Sequence, residues 1–219
     1  MSEVPAGAVK AGESGEPGGQ PGTSRDGEAA VSPEAPALEV VAREQTTEFA
    51  EYEYTNPSLF NNVQNAADYM RAVKTVLYTE APLADYVLMK RTVALFGSSR
   101  VTKSVREAFD QVMRNCSAFG ILRKNGFLYL SLRLEDIHFR VPGREPARDV
   151  EYIAPEELAV AMLKILENNG ALDQDSLYAA LARLCGLQKV SAKTRGFFDR
   201  ALTCLGKRVQ IRNGIVSPK

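Results

Sequence analysis

Two stretches decide the reading of this chain. The first is Leu95-Phe96-Gly97-Ser98-Ser99-Arg100-Val101-Thr102-Lys103-Ser104-Val105-Arg106-Glu107-Ala108-Phe109-Asp110, and the second, 89 residues on, is Leu184-Cys185-Gly186-Leu187-Gln188-Lys189-Val190-Ser191-Ala192-Lys193-Thr194-Arg195-Gly196-Phe197-Phe198-Asp199. Leu95, Gly97, Val101, Phe109 and Asp110 meet Leu184, Gly186, Val190, Phe198 and Asp199 identically, while Arg100 meets Lys189 and Thr102 meets Ser191. Working outward, the same shift brings Tyr69, Val73, Val76, Leu77, Leu83 and Leu88 onto Leu158, Met162, Ile165, Leu166, Leu172 and Leu177. After one deletion, Asn125-Gly126 falls on Asn213-Gly214. A fixed internal period is the mark of a structural unit used more than once.

The matched positions are also those that periodicity assigns to cores. Tyr69, Val73, Val76 and Leu77 form an i, i+4, i+7, i+8 stripe, the buried face of an amphipathic helix. In the second copy Pro155-Glu156-Glu157 opens that helix, with proline in the first turn and acids favourable to the helix dipole, and Asn169-Gly170 closes it. A second helix is predicted over about Leu83 to Phe96 and Gln174 to Cys185, each ending at a left-handed glycine, Gly97 or Gly186. A third follows from a hydroxyl N-cap, Thr102 or Ser191, to about Asn115 or Leu205. Each copy then offers two strand-like runs around Asn-Gly, Gly120 to Leu130 and Val209 to Val216, the strongest short hairpin signal. Three helices and a hairpin make up a winged helix-turn-helix. The expected fold class is therefore mainly α with short β-hairpins, in two tandem winged-helix-turn-helix-like units. Between the copies, Ile137 to Arg140 and Val150 to Ile153 read as extended segments flanking a Pro142-Gly143-Arg144-Glu145-Pro146 loop.

The neutral total charge hides a division. Residues 1–53 carry eleven acids against three bases, and residues 54–219 carry sixteen against twenty-four. From Met1 to about Pro36 the chain is Gly, Pro, Ser, Glu and Ala, a composition expected to stay disordered because it has little apolar surface to bury. Ala37 to Glu53 adds Leu38, Val40, Val41 and Phe49 and reads as a docking segment or short helix; Tyr52, Tyr54, Leu59 and Phe60 then lead into the first strong helix. The expected organisation is an acidic tail over 1–53, a first unit with lead-in and linker over 54–150, and a second unit over 151–219.

No apolar run is long enough to cross a membrane and no leader pattern opens the chain, which suggests a cytosolic protein. Cys116, Cys185 and Cys204, scattered and odd in number, fit buried thiols better than a disulfide framework or a zinc site, and His138 is the only histidine. His138 has no nucleophile at a recognisable spacing and reads as structural. Glu135-Asp136, Asp173 and Asp175 read as surface or capping groups, and Phe109, Phe197 and Phe198 as core. No catalytic residue, cofactor or metal is expected.

The run Glu80-Ala81-Pro82-Leu83 through Leu88, Arg91-Thr92-Val93, Leu95-Phe96-Gly97 and Arg100-Val101, followed by Tyr152-Ile153-Ala154-Pro155-Glu156-Glu157-Leu158, resembles an uncharacterised domain near the C-terminus of large bacterial superfamily 1 helicase-like proteins. The resemblance covers about Ala66 to Ser217. It implies work around DNA processing or defence and a helicase or nuclease partner; it implies no activity for this chain, which lacks the G-x-x-x-x-G-K-[ST] phosphate loop.

In a winged helix the third helix reads the major groove and the hairpin approaches the flanking backbone. The candidate nucleic-acid-binding residues are Arg100, Lys103, Arg106 and Arg114 on the first third-helix and Arg123 and Lys124 on its wing. In the second copy they are Lys189, Lys193, Arg195 and Arg200, then Lys207, Arg208 and Arg212. Ser98, Ser99, Thr102, Ser191 and Thr194 could donate to phosphate oxygens. The alternative is that these cations are only the solvated face of each helix, and that the tandem units form a protein-interaction scaffold. In the nucleic-acid reading the partner is DNA and the acidic tail competes for the basic face.

Overall fold

A computed structural model describes residues 66–141 and 148–219. The acidic tail, the lead-in aromatics and the loop over 142–147 lie outside the described residues. The architecture is mainly helical, with two small antiparallel sheets.

The first half runs α1 (Ala66–Glu80), β1 (Leu83–Ala84), α2 (Asp85–Leu95), α3 (Lys103–Met113), a 3-10 turn (Cys116–Phe119), β2 (Leu122–Lys124) and β3 (Phe127–Tyr129). The second half runs α4 (Pro155–Asn169), β4 (Leu172–Asp173), α5 (Gln174–Leu184), α6 (Ala192–Leu205), a 3-10 turn (Gly206–Arg208), β5 (Val209–Arg212) and β6 (Ile215–Pro218). Helix starts in the two halves are 89 residues apart, and the hairpins 88 apart after the deletion.

In the first half the predicted second helix is one strand too long at its start, whereas in the second half it begins at Gln174 as expected. Leu83–Ala84 is extended and pairs with β3, Leu83 opposite Leu128; Leu172–Asp173 pairs with β6, Leu172 opposite Val216. Each sheet is therefore three-stranded, with the strand after the first helix hydrogen-bonded to the last strand of the hairpin. Two residues have no periodicity of their own, so local pattern assigned Leu83–Ala84 to the helix it adjoins and gave Leu172–Asp173 no strand. The pairing is tied again one residue on: Asp85 N–H donates to Gly126 O at 2.9 Å, and Gln174 N–H to Gly214 O at 3.0 Å.

The termini follow the local chemistry. Thr102 Oγ1 accepts from Val105 N–H and Ser191 Oγ from Thr194 N–H, capping α3 and α6. Asp173 caps α5 by accepting from Ser176 N–H. Gly97 and Gly186 take φ of 73° and 75° just past their helices, as a left-handed cap requires. Asn125-Gly126 and Asn213-Gly214 hold consecutive positive φ values, 50° and 79°, 49° and 77°, the backbone of a tight hairpin turn.

Each half has its own core. Tyr69, Val73, Val76, Leu77, Leu88, Phe109, Met113 and Leu128 fill the first; Leu158, Met162, Ile165, Leu166, Leu177, Tyr178, Phe198 and Leu205 fill the second. Phe197, expected in the core, is partly buried and packs against the edge of the second core, since the residue beside Phe198 on a helix is turned by about 100° from it. The linker also departs from expectation. Val150–Tyr152 is a 3-10 turn rather than extended chain; a further 3-10 turn, Leu134–Asp136, precedes Ile137, and His138 is exposed between the buried Ile137 and Phe139. Cys116 and Cys185 are buried thiols and Cys204 is partly buried; burial pushes the Cys185 thiol up to about 12.

A third, small apolar cluster of Tyr129, Ile137 and Ala154 lies where the halves meet. Ions reinforce it. Glu156, at the start of α4, accepts from Tyr129 Oη at 2.6 Å and from Lys124 Nζ at 2.8 Å. Glu157, fully buried, meets Arg148 at 2.6 Å and Arg140 at 3.6 Å, and Arg140 also donates to the carbonyl of Glu80 at 3.1 Å. The two acids that the sequence offered only as dipole partners are thus the ionic centre of the seam.

Candidate nucleic-acid interface

The third helix of each half presents the candidate cations by burying its opposite side. α3 turns Phe109 and Met113 inward, and α6 turns Phe198, Ala201, Leu202 and Leu205 inward. What remains outside is Lys103, Arg106 and Arg114 on one, Lys193, Arg195 and Arg200 on the other; Arg100 and Lys189 are exposed just before the two helices. All thirteen candidates are exposed, but they are not equally available.

Six sit against carboxylates. Lys103 is 3.8 Å from Glu107, Arg123 2.6 Å from Asp85, Lys124 2.8 Å from Glu156 and Lys193 2.6 Å from Glu151. Arg195 pairs with Asp175, and Arg208 with Glu135. These contacts shift the partners: hydrogen bonding to Arg208 holds the Glu135 carboxyl below its ordinary range, and Lys193 does the same to Glu151. Asp175 and Glu135, expected as surface groups, are surface groups paired with arginines, Glu135 with Arg133 at 3.8 Å as well as with Arg208. Among the described residues the other seven have no carboxylate partner: Arg100, Arg106, Arg114, Lys189, Arg200, Lys207 and Arg212. Arg200 lies 4.5 Å from the centroid of the Phe197 ring, and Lys193 6.0 Å, so this aromatic carries two cations.

The hydroxyls are mostly committed to the backbone. Thr102 and Ser191 cap their helices while contacting Ser104 and Thr194 at 2.9 Å, and Ser98 Oγ accepts from Arg100 N–H at 3.4 Å. The helix faces also hold Glu107 and Asp110 on α3 and Asp199 on α6, where Asp199 accepts from Tyr178 Oη at 2.5 Å. Burial pushes the Tyr178 hydroxyl up, and its bond to Asp199 adds to the shift.

The two hairpins have diverged. Register matches Arg123 with Ile211 and Lys124 with Arg212. The first wing spends both cations on carboxylates. In the second, Gln174 stands where Asp85 stands in the first, and Ile211 is 53 % and Ile215 42 % exposed beside an unpaired Arg212.

Tertiary structure adds features that no local pattern signalled. Tyr86, on α2, lies 5.9 Å from Tyr152 across the seam, with Lys90 5.5 Å over the Tyr86 ring. Sixty-six residues separate the two tyrosines, so only the docking of the halves could bring them together. A pocket of about 340 Å³ beside the linker is lined by Tyr78, Tyr129, Asp136, His138 and Arg140 among others. Ser131 donates to Asp136 there at 2.6 Å. Among the described residues no group of three His, Cys, Asp or Glu side chains could hold a metal, and no helix is long and apolar enough to cross a membrane. No family model, curated protein or solved structure matches the chain.

Proposed function

We propose that the chain is a non-catalytic nucleic-acid-binding accessory module, DNA being its polyanion, built from two tandem winged helix-turn-helix units. The strand between first and second helix closing on the hairpin, twice, is what supports the winged-helix reading. The observation that carries the binding reading is the set of seven exposed cations without a carboxylate partner, at or near the third helix and wing of each half. Free cations exchange counterions for phosphate at little cost, whereas a cation already held by a carboxylate must first give that contact up. Arg106, Arg200, Lys189 and Arg212 are the residues assigned the largest part; Lys124 and Arg123 are assigned to the fold. Association with a helicase or nuclease follows from the family resemblance alone.

Fluorescence anisotropy of labelled single-stranded, duplex and forked DNA with the full chain tests this. If about five phosphates are met, log affinity falls with log salt with a slope of about −4 to −5. Arg106→Glu with Arg200→Glu abolishes binding, while Arg123→Gln leaves it nearly unchanged. No binding at the lowest salt overturns the proposal.

The exposed Ile211 and Ile215 favour a second reading, a protein-interaction scaffold using the second wing, since apolar side chains on a wing contribute little to phosphate. A partner retained from nuclease-treated lysate, and lost with Ile211→Glu, supports that reading; a partner released by nuclease speaks for the first.

A further inference from the structure

We propose that the groove between α1 and the end of α3 is the docking site of the chain's own acidic and apolar segment, residues 37–53. The groove encloses about 600 Å³ and is walled by Ala67, Met70 and Lys74 on α1, by Val112 and Asn115, and by Phe119 of the 3-10 turn. Phe119 is 47 % exposed, a large ring at the surface with the Lys74 ammonium 5.2 Å from its centroid. Arg71, exposed and paired with Asp68 at 2.5 Å, stands on the rim. The chemistry asked of an occupant is specific: apolar side chains for Met70, Val112 and Phe119, and a carboxylate for Lys74.

Residues 37–53 supply both. They hold Leu38, Val40, Val41, Phe49 and Tyr52, with Glu39, Glu44, Glu48, Glu51 and Glu53 against the single base Arg43. Chain connectivity selects this occupant over a second copy or a separate protein. Twelve residues, 54–65, join the segment to α1, whose second residue is Ala67 on the groove wall. Such a tether reaches up to about 40 Å at roughly 3.3–3.6 Å per residue. That exceeds the roughly 22 Å length of a fifteen-residue helix. A short tether gives a local concentration on the order of millimolar, which a free partner of equal match at micromolar concentration does not overcome. None of the groove residues is among the cations assigned to phosphate, so the proposal stands or falls separately from the binding reading.

The full chain contains no tryptophan, so Phe119→Trp places a sole indole on the groove wall. With the segment docked, adding Phe49→Ser and Tyr52→Ser moves the emission to longer wavelength and roughly doubles acrylamide quenching, because the indole face returns to water. Identical emission and quenching in the two proteins overturns the proposal. In the unsubstituted chain, a carbodiimide links Lys74 to a carboxylate of Glu48, Glu51 or Glu53 within one molecule, at a yield independent of protein concentration. Links formed only between molecules, rising with concentration, overturn it in favour of a second copy.

Discussion

Glu156 shows how much one side chain does at the junction of the halves. Its two oxygens are divided between Tyr129 and Lys124, one buried hydroxyl and one ammonium whose side chain is 47 % exposed. Burial pushes the Glu156 carboxyl up, but donation from Lys124 and Tyr129 outweighs it and holds the group below its ordinary range. The Tyr129 hydroxyl is pushed up, first by burial and then by this bond. Glu156→Gln keeps the shape and loses the charge; with screening at the exposed lysine allowed for, it costs about 1–3 kcal/mol at neutral pH in urea unfolding. The folded carboxyl has the lower pKa. Its stabilisation is therefore present in full above the unfolded value, about 4.3, and is lost as pH falls through the folded value. The two proteins should differ most above about pH 5 and converge in acid; a difference that persists unchanged in acid would assign Glu156 a purely packing role. From the sequence only its place in the first helical turn was legible, because both partners come from the other half.

At the scale of elements, the third helices depend on a single hydroxyl each. Thr102→Ala and Ser191→Ala remove the acceptors for Val105 and Thr194 N–H. Each costs about 1 kcal/mol, read from denaturant midpoints, while Thr102→Ser and Ser191→Thr remain near wild type. Equal losses in both halves would show that the repeat is energetic as well as geometric. Helices, caps and hairpins were legible because each is set by neighbours in sequence: a 3.6-residue stripe, a hydroxyl at the start, glycine past the end, Asn-Gly at the turn. The strands β1 and β4 were not. A two-residue strand exists only because β3 and β6 arrive beside it from about forty residues away, and nothing within Leu83-Ala84 or Leu172-Asp173 announces that partner. The wings diverged for a similarly non-local reason, Asp85 being exchanged for Gln174 opposite Arg123 and Ile211.

Over the whole molecule, the two cores are joined by one small apolar cluster, by the Glu156 contacts to Tyr129 and Lys124, and by the Glu80, Arg140, Glu157 and Arg148 chain. Glu157→Ala removes the buried carboxylate shared by the nearly buried guanidinium groups of Arg140 and Arg148. A loss of about 3–5 kcal/mol follows, as for one partner removed from a buried ion pair. Calorimetry should then resolve two transitions where the unsubstituted chain shows one, since each half keeps its own core; one cooperative transition in both proteins would mean that the apolar cluster and the Glu156 contacts suffice to couple the halves. If the chain binds DNA as proposed, the seam sets the relative placement of the two sets of cations, and this substitution then lowers the affinity for DNA forms that engage both. What the sequence by itself determined is the repeat and the three-helix-and-hairpin order, consequences of short-range periodicity, capping and turn chemistry, together with the cations at and beside the third helices. Only the tertiary structure decided which cations remain free. An ion pair depends on distance in space, and Asp85, Glu156, Glu151 and Glu135 reach Arg123, Lys124, Lys193 and Arg208 across 38, 32, 42 and 73 residues of chain.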